Sequence, residues 1–323
     1  EIIDTASITT LAGTGDSNYI LGVVDQNNIF SGKAGDDVLS GNNRNDILYG
    51  DEGNDSLSGN NGDDVLIGGT GNDTLSGGVG NDTFNLANGN FVSGESIDGG
   101  ADTDAIVLTN ATTVNFTTGT ISNVETLTGS SGNDTVTMST NQWTGFNTID
   151  LGSGTNVLNV VASGDISAQP TPTVSNVTTG NLTGTSGNDT MTLTGAQLDA
   201  IIIGAGTINL GAGTDTINLT STSADLNALG ATNASIQGVE AISAATAGSG
   251  VTITLSGQTE GFTITGSANN DTITGGRGAD TITGGAGVDR FVFNSASSPG
   301  TVGGSGDTGT VTGYDVITDF SPN

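Results

Sequence analysis

The chain contains no cysteine and no histidine, and only 4 of its 323 residues are Lys or Arg against 34 that are Asp or Glu. The first two absences exclude thiol nucleophiles, disulfides, histidine general bases and the usual zinc ligands. The shortage of positive charge excludes the basic patches that nucleic acid or an anionic membrane surface would need. No apolar run approaches the roughly 18 residues of a membrane span, and no N-terminal signal peptide is visible. With 33% hydrophobic and 4% aromatic residues, a conventional core is also excluded. A chain of this kind stays disordered unless something other than apolar burial offsets the entropy of ordering it.

What is abundant is glycine, 54 residues, and negative charge, a formal −30. Like charge at this density repels itself in a compact state, so a stable fold implies bound cations. With thiolate and imidazole absent, only hard oxygen ligands remain, and these select Ca2+ or Mg2+.

Self-similarity appears at a period of nine. From Gly41 the chain reads GNNRNDILY, GDEGNDSLS, GNNGDDVLI, GGTGNDTLS and GGVGNDTFN, ending at Asn85. GKAGDDVLS from Gly32 precedes this run, with weaker units GVVDQNNIF from Gly22 and GTGDSNYIL from Gly13; Ser31 reads as a one-residue slip between units. The sixth position is Asn18, Asn27, Asp37, Asp46, Asp55, Asp64, Asp73 and Asp82, and the eighth is apolar from Ile20 and Ile29 to Leu75 and Phe84. Glycine permits tight turns with positive φ, and alternation around the apolar position marks a short strand. Turn, strand, turn, strand predicts two parallel sheets with the eighth-position side chains between them.

The nonapeptide resembles the G-G-x-G-x-D-x-(apolar)-x repeat of the RTX family. The resemblance implies an all-β chain, a right-handed parallel β-roll or β-solenoid, with Ca2+ bound between stacked Gly-Asp turns. It implies that position-six carboxylates and turn carbonyls hold each ion and that repeat n shares it with repeat n+2. The expected sharing pairs are Asp37/Asp55, Asp46/Asp64, Asp55/Asp73 and Asp64/Asp82, with weaker sites at Asn18 and Asn27. The signature returns in GSANNDTIT, GGRGADTIT and GGAGVDRFV, placing Asp271, Asp280 and Asp289 at position six. GYDVITDFSPN from Gly313 resembles the segment that precedes a type I secretion signal in this family.

The middle carries a longer repeat. LTGSSGNDTVTM from Leu127 and LTGTSGNDTMTL from Leu182 are near copies, each followed by an insertion and a second turn, IDLGSGTNVLNV from Ile149 or INLGAGTDTINL from Ile208. SIDGGADTDAIVL from Ser96 matches the second half. These stretches are rich in Thr, Val and Ile and predict strands, with helix only near Gly195–Ala200 and Ser223–Leu229. Asp104, Asp134, Asn156, Asp189 and Asp215 are the candidate ligands there. Repeat density divides the chain into an RTX β-roll at 1–90, a degenerate solenoid at 91–262, and C-terminal repeats with the start of a secretion-linked tail at 263–323.

Dinucleotide-binding glycine loops need a strand before and a helix after, which this context lacks. No carboxylate pair stands out as a glycosidase acid and base. Glycosylation sequons begin at Asn110, Asn115, Asn176, Asn181 and Asn233, a number that chance supplies in so Thr-rich a chain. Trp143 is expected to cap the apolar interior, and Glu125 and Glu240 to serve turn or strand-end hydrogen bonding. The expectation is therefore a non-enzymatic structural protein, exported through a type I system to the bacterial cell surface and assembling with itself into an S-layer or filament. Cell-surface polysaccharide is a second candidate partner. The alternatives are the repeat region of a large RTX adhesin or the non-catalytic module of a secreted enzyme.

Overall fold

A computed structural model describes residues 9–230, 235–292 and 316–319. The chain forms two compact units, residues 1–158 with 172–178, and residues 159–171 with 179–323. Most of the GYDVITDFSPN stretch, and the Asn233 sequon, lie outside the described residues.

In the first unit each nonapeptide supplies one strand, and alternate repeats stack in the same sheet. Asn28–Ala34, Ile47–Glu52, Val65–Thr70 and Thr83–Leu86 pair in parallel within one sheet. Tyr19–Leu21, Val38–Asn43, Ser56–Asn61, Thr74–Val79 and Ser96–Ala101 pair in parallel within another. The register sets Leu39 against Leu57, Leu75 and Ile97, and Leu48 against Leu66, Phe84 and Ile106. These side chains are fully buried. Two repeats thus make one coil, and a coil only two side chains thick is filled by a single apolar residue per strand. This is the expected parallel β-solenoid.

One repeat departs from the expected register. Asn28, not Asn27, stands 18 residues before Asp46 and donates its N–H to Asp46 Oδ1 at 2.5 Å. Accordingly Phe30 is buried, while Ile29 is half-buried and Asn27 exposed. The extra residue sits inside the turn, where Asp25 adopts φ 62°, rather than at Ser31 between units.

Coils lengthen beyond Asn85, to 22 residues at Asp82–Asp104 and 26 at Asp189–Asp215. The second unit keeps parallel stacking: Thr190–Leu193, Thr216–Leu219, Ala241–Ser243, Thr263–Thr265 and Thr281–Thr283 follow one another in one sheet. Thr252–Thr254, Thr272–Thr274 and Arg290–Val292 form a second.

The helices Gly195–Ile201 and Ala224–Leu229 fall where the sequence predicts them. A third, Thr140–Gly145, is not predicted, because its residues are poor helix formers. Its signal is a capping box, with Ser139 Oγ accepting the Gln142 N–H and the Gln142 side chain accepting the Ser139 N–H. Thr194 and Gln197 repeat the arrangement after the second near copy. Trp143, in this third helix, is completely buried, and its Nε1 has no hydrogen-bond partner. Among the described residues no helix is long and apolar enough to cross a membrane.

Candidate metal centre

Position six builds a continuous carboxylate ladder along each turn edge. Oδ1 of Asp55 accepts the Asp37 N–H at 2.7 Å, Asp73 that of Asp55 at 2.8 Å, and Glu95 that of Asp73 at 3.2 Å. On the other edge Asp64 accepts from Asp46 at 2.7 Å, Asp82 from Asp64 at 2.8 Å, Asp104 from Asp82 at 2.7 Å and Glu125 from Asp104 at 2.9 Å. All four expected sharing pairs are therefore brought together. Further along, Asp134 N–H donates to Asn156 Oδ1 at 2.9 Å, Asp189 N–H to Asp215 Oδ1 at 2.8 Å, and Asp215 N–H to Glu240 Oε2 at 2.7 Å. In the last repeats Asp271 N–H donates to Asp289 Oδ1 at 3.0 Å, and Asp280 Oδ1 accepts the Phe262 N–H at 2.9 Å. At the beginning, Asn18 and Asn28 donate both backbone N–H and side-chain amide to Asp37 and Asp46.

Sequence reasoning misses Glu95 and reads Glu125 and Glu240 only as hydrogen-bonding residues of turns. All three occupy ladder places, 21 to 25 residues from the donor, where variable coil length hides the period. Position five forms a second ladder running the other way: Asn54 Oδ1 accepts the Asn72 N–H at 2.9 Å, and Asp63 Oδ1 that of Asn81 at 2.9 Å. The Gly-Asn-Asp triplet therefore bonds one turn forward through its Asn and one turn back through its Asp.

The glycines shape a cradle of oxygens. A Cβ on Gly32 would collide with Asp37 Oδ2 and stand 2.8 Å from the Gly50 carbonyl oxygen; Gly41, Gly59 and Gly77 repeat this against Asp46, Asp64 and Asp82. At position four Gly53, Gly71 and Gly80 adopt φ of 137°, 131° and 129°, which lets the carbonyls of Gly35, Gly53 and Gly62 approach from the preceding coil. Inside this cradle Oδ2 of Asp37, Asp46, Asp55, Asp64, Asp73, Asp82, Asp104 and Asp215 is buried without a hydrogen-bond partner. A buried, unpaired carboxylate oxygen facing carbonyl oxygens is costly unless a cation stands among them.

The same burial perturbs the acids. Desolvation, partly offset by the ladder hydrogen bond, pushes Asp46, Asp55 and Asp64 up to about 6 and Asp82 up to about 7. Asp73 and Asp104 rise for the same reason, and Glu95 to about 8. Exposed Asp63 in the outer ladder goes the other way, lowered by its hydrogen bonds from Asn81. Among the described residues no three acidic side chains converge as a metal-binding group. Acids meet in pairs, so backbone carbonyls must complete any coordination shell, as hard cations accept.

A family model for the RTX calcium-binding nonapeptide repeat (4 copies) matches residues 24–57, 58–90, 122–137 and 263–294. The chain carries RTX repeats. A search of curated proteins returns no match. RTX repeats bind Ca2+ and typically belong to extracellular, type I secreted proteins. The residues present fit that ion: unpaired carboxylate oxygens, carbonyls and no competing soft ligand. When bound, Ca2+ supplies positive charge between stacked RTX turns. The turns at Asp134, Asp189 and Asp271 differ, because Ser130, Thr185 and Ser267 donate their backbone N–H to the aspartate Oδ2 at 2.8, 2.7 and 2.7 Å. Gly276 N–H does the same for Asp280 at 2.7 Å.

Proposed function

We propose that this chain is a secreted, Ca2+-dependent structural protein of the bacterial cell surface that assembles with copies of itself into a surface layer or extracellular filament. The ligands of that role are the position-six aspartates whose Oδ2 is unpaired, in columns of which Glu95, Glu125 and Glu240 close three. The observation that carries the assembly reading is the exposed edge of the first unit. Among the described residues Thr9–Ala12 and Tyr19–Leu21 are the outermost strands of their sheets, and Leu11, Tyr19 and Leu21 are 48%, 72% and 55% exposed. An open strand edge beside exposed apolar side chains is a template for another chain. End-to-end contacts that do not close by symmetry produce filaments or lattices.

Negative-stain electron microscopy with and without Ca2+ tests the proposal. Ordered sheets or fibres that dissolve in EGTA are expected. Isolated monomers at high protein concentration in millimolar Ca2+ would overturn it and favour an adhesin region or an enzyme's accessory module.

A further inference from the structure

The geometry points to two kinds of RTX turn in this chain, sorted by the backbone at position two: open turns whose aspartate needs a cation, and closed turns whose aspartate is satisfied by its own turn. The inference rests on the calcium reading of the repeats and is independent of cell-surface assembly.

In the open class position two has positive φ. It runs from 75° at Asp51 to 122° at Gly78 in the block from Asp37 to Asp104, and is 98° at Gly211 before Asp215. That conformation turns the position-two N–H away from the aspartate. Of the nine aspartates that follow such residues, eight have an Oδ2 buried without a partner; the ninth, Asp289 after Gly285 (φ 98°), is part-exposed.

In the closed class Ser130, Thr185, Ser267 and Gly276 do not have positive φ, and each N–H reaches its aspartate's Oδ2. Ser130, Thr185 and Ser267 add a hydroxyl donor to the same oxygen, at 3.0 to 3.1 Å. A carboxylate oxygen holding two donors from its own turn has no deficit for a cation to fill.

Asn156 shows what an open turn lacks. Its position two, Gly152, has φ 68°, and its Oδ1 accepts the ladder bond from Asp134. Its Nδ2, standing where an aspartate would place Oδ2, donates to the carbonyls of Leu151, Gly152 and Asn176 at 2.8, 3.1 and 2.9 Å. Three carbonyls thus converge on that place, and the amide supplies the positive hydrogens. With a carboxylate oxygen there instead, every group would be an acceptor, a set that suits a hard cation. Asn156 is therefore a built-in substitute for the ion. The dense C-terminal repeats at Asp271 and Asp280 are closed despite their signature, and the isolated turn at Asp215 is open.

Equilibrium dialysis of the full chain against Ca2+ tests the sorting. Asn156→Asp is expected to gain one ion per chain, Asp189→Asn to keep the wild-type number, and Asp64→Asn to lose at least one. No gain in the first, or a loss in the second, overturns the sorting while leaving the calcium reading intact. A wild-type chain that binds no Ca2+ overturns both. Should a variant fail to fold, a wild-type crystal soaked in Tb3+ decides: anomalous density is expected at Asp64 and Asp215, and density at Asp134 or Asp189 overturns the inference.

Discussion

A single atom, the aspartate Oδ2, explains the position-one glycines of the first repeats. Position one needs glycine because of proximity to the carboxylate, not because of φ, whereas at position four glycine eases a left-handed backbone that Arg44 also adopts, at φ 72°. Gly59→Ala would press a methyl onto Asp64 Oδ2 and to 2.8 Å from the Gly77 carbonyl oxygen. We expect a loss of about 1–3 kcal/mol in Ca2+-bound stability, as for other overpacked sites, measured by denaturant titration. Gly15, where an added methyl would meet nothing within 4 Å and φ is not positive, should accept alanine without loss. The acids predict a pH response as well. Asp46, Asp55, Asp64 and Asp82 rise on folding from an ordinary 3.8 to about 6 or 7. The cation-free fold therefore favours their protonated forms. Their contribution is fully present below 3.8 and is lost as pH rises through about 6 to 7. In EGTA, acidification from pH 8 to 5 should raise β content by circular dichroism; in saturating Ca2+ the sign should reverse, because protons then compete with the ion.

Elements in this protein are short, and each depends on its neighbours. Strands of two to seven residues bury at most two side chains apiece, which no isolated strand could use for stability. Their period is legible because Leu or Phe recurs at position eight from Leu39 to Phe84 with an invariant spacing. The slip between Gly22 and Ser31 is harder to place, because local text cannot tell an extra residue inside a turn from one between turns; only the Asn28–Asp46 bond decides. The helix Thr140–Gly145 is hidden by its Thr, Asn and Trp content, yet Ser139 and Gln142 announce its start. Removing that cap with Ser139→Ala should cost about 1 kcal/mol, readable as a shift in urea midpoint. The control is Thr144→Ala: Thr144 lies on the same helix, and its hydroxyl bonds only the nearby Asn141 carbonyl.

For the whole molecule, a formal −30 makes folding and cation binding one equilibrium. Calcium withdrawal should act unevenly. By hydrogen exchange, amides of the open block, Asp37 to Asp104, are expected to lose protection first, and those around Asp134 and Asp189 to keep it longer. Uniform loss of protection across these segments would contradict the division into open and closed turns.

Composition and period alone determined that this chain is a stacked, nearly all-β repeat suited to a hard cation, because glycine, aspartate and one apolar residue per nine supply oxygen ligands and too little apolar surface for a conventional core. They also placed the ladder residues from Asp37 to Asp82, where a strict period fixes which side chains stack, but not Glu95, Glu125 and Glu240, where coil length varies. Tertiary structure alone decided which carboxylates remain open. Asn42 and Ser130 are both small polar residues at position two, yet one turns its N–H away and the other turns it inward. Ser130 holds its turn locally, its hydroxyl accepting the Gly132 N–H. Gly78 and Gly276, by contrast, are the same residue at position two and still differ, so there residue type does not settle the choice and the coil packed against the turn does.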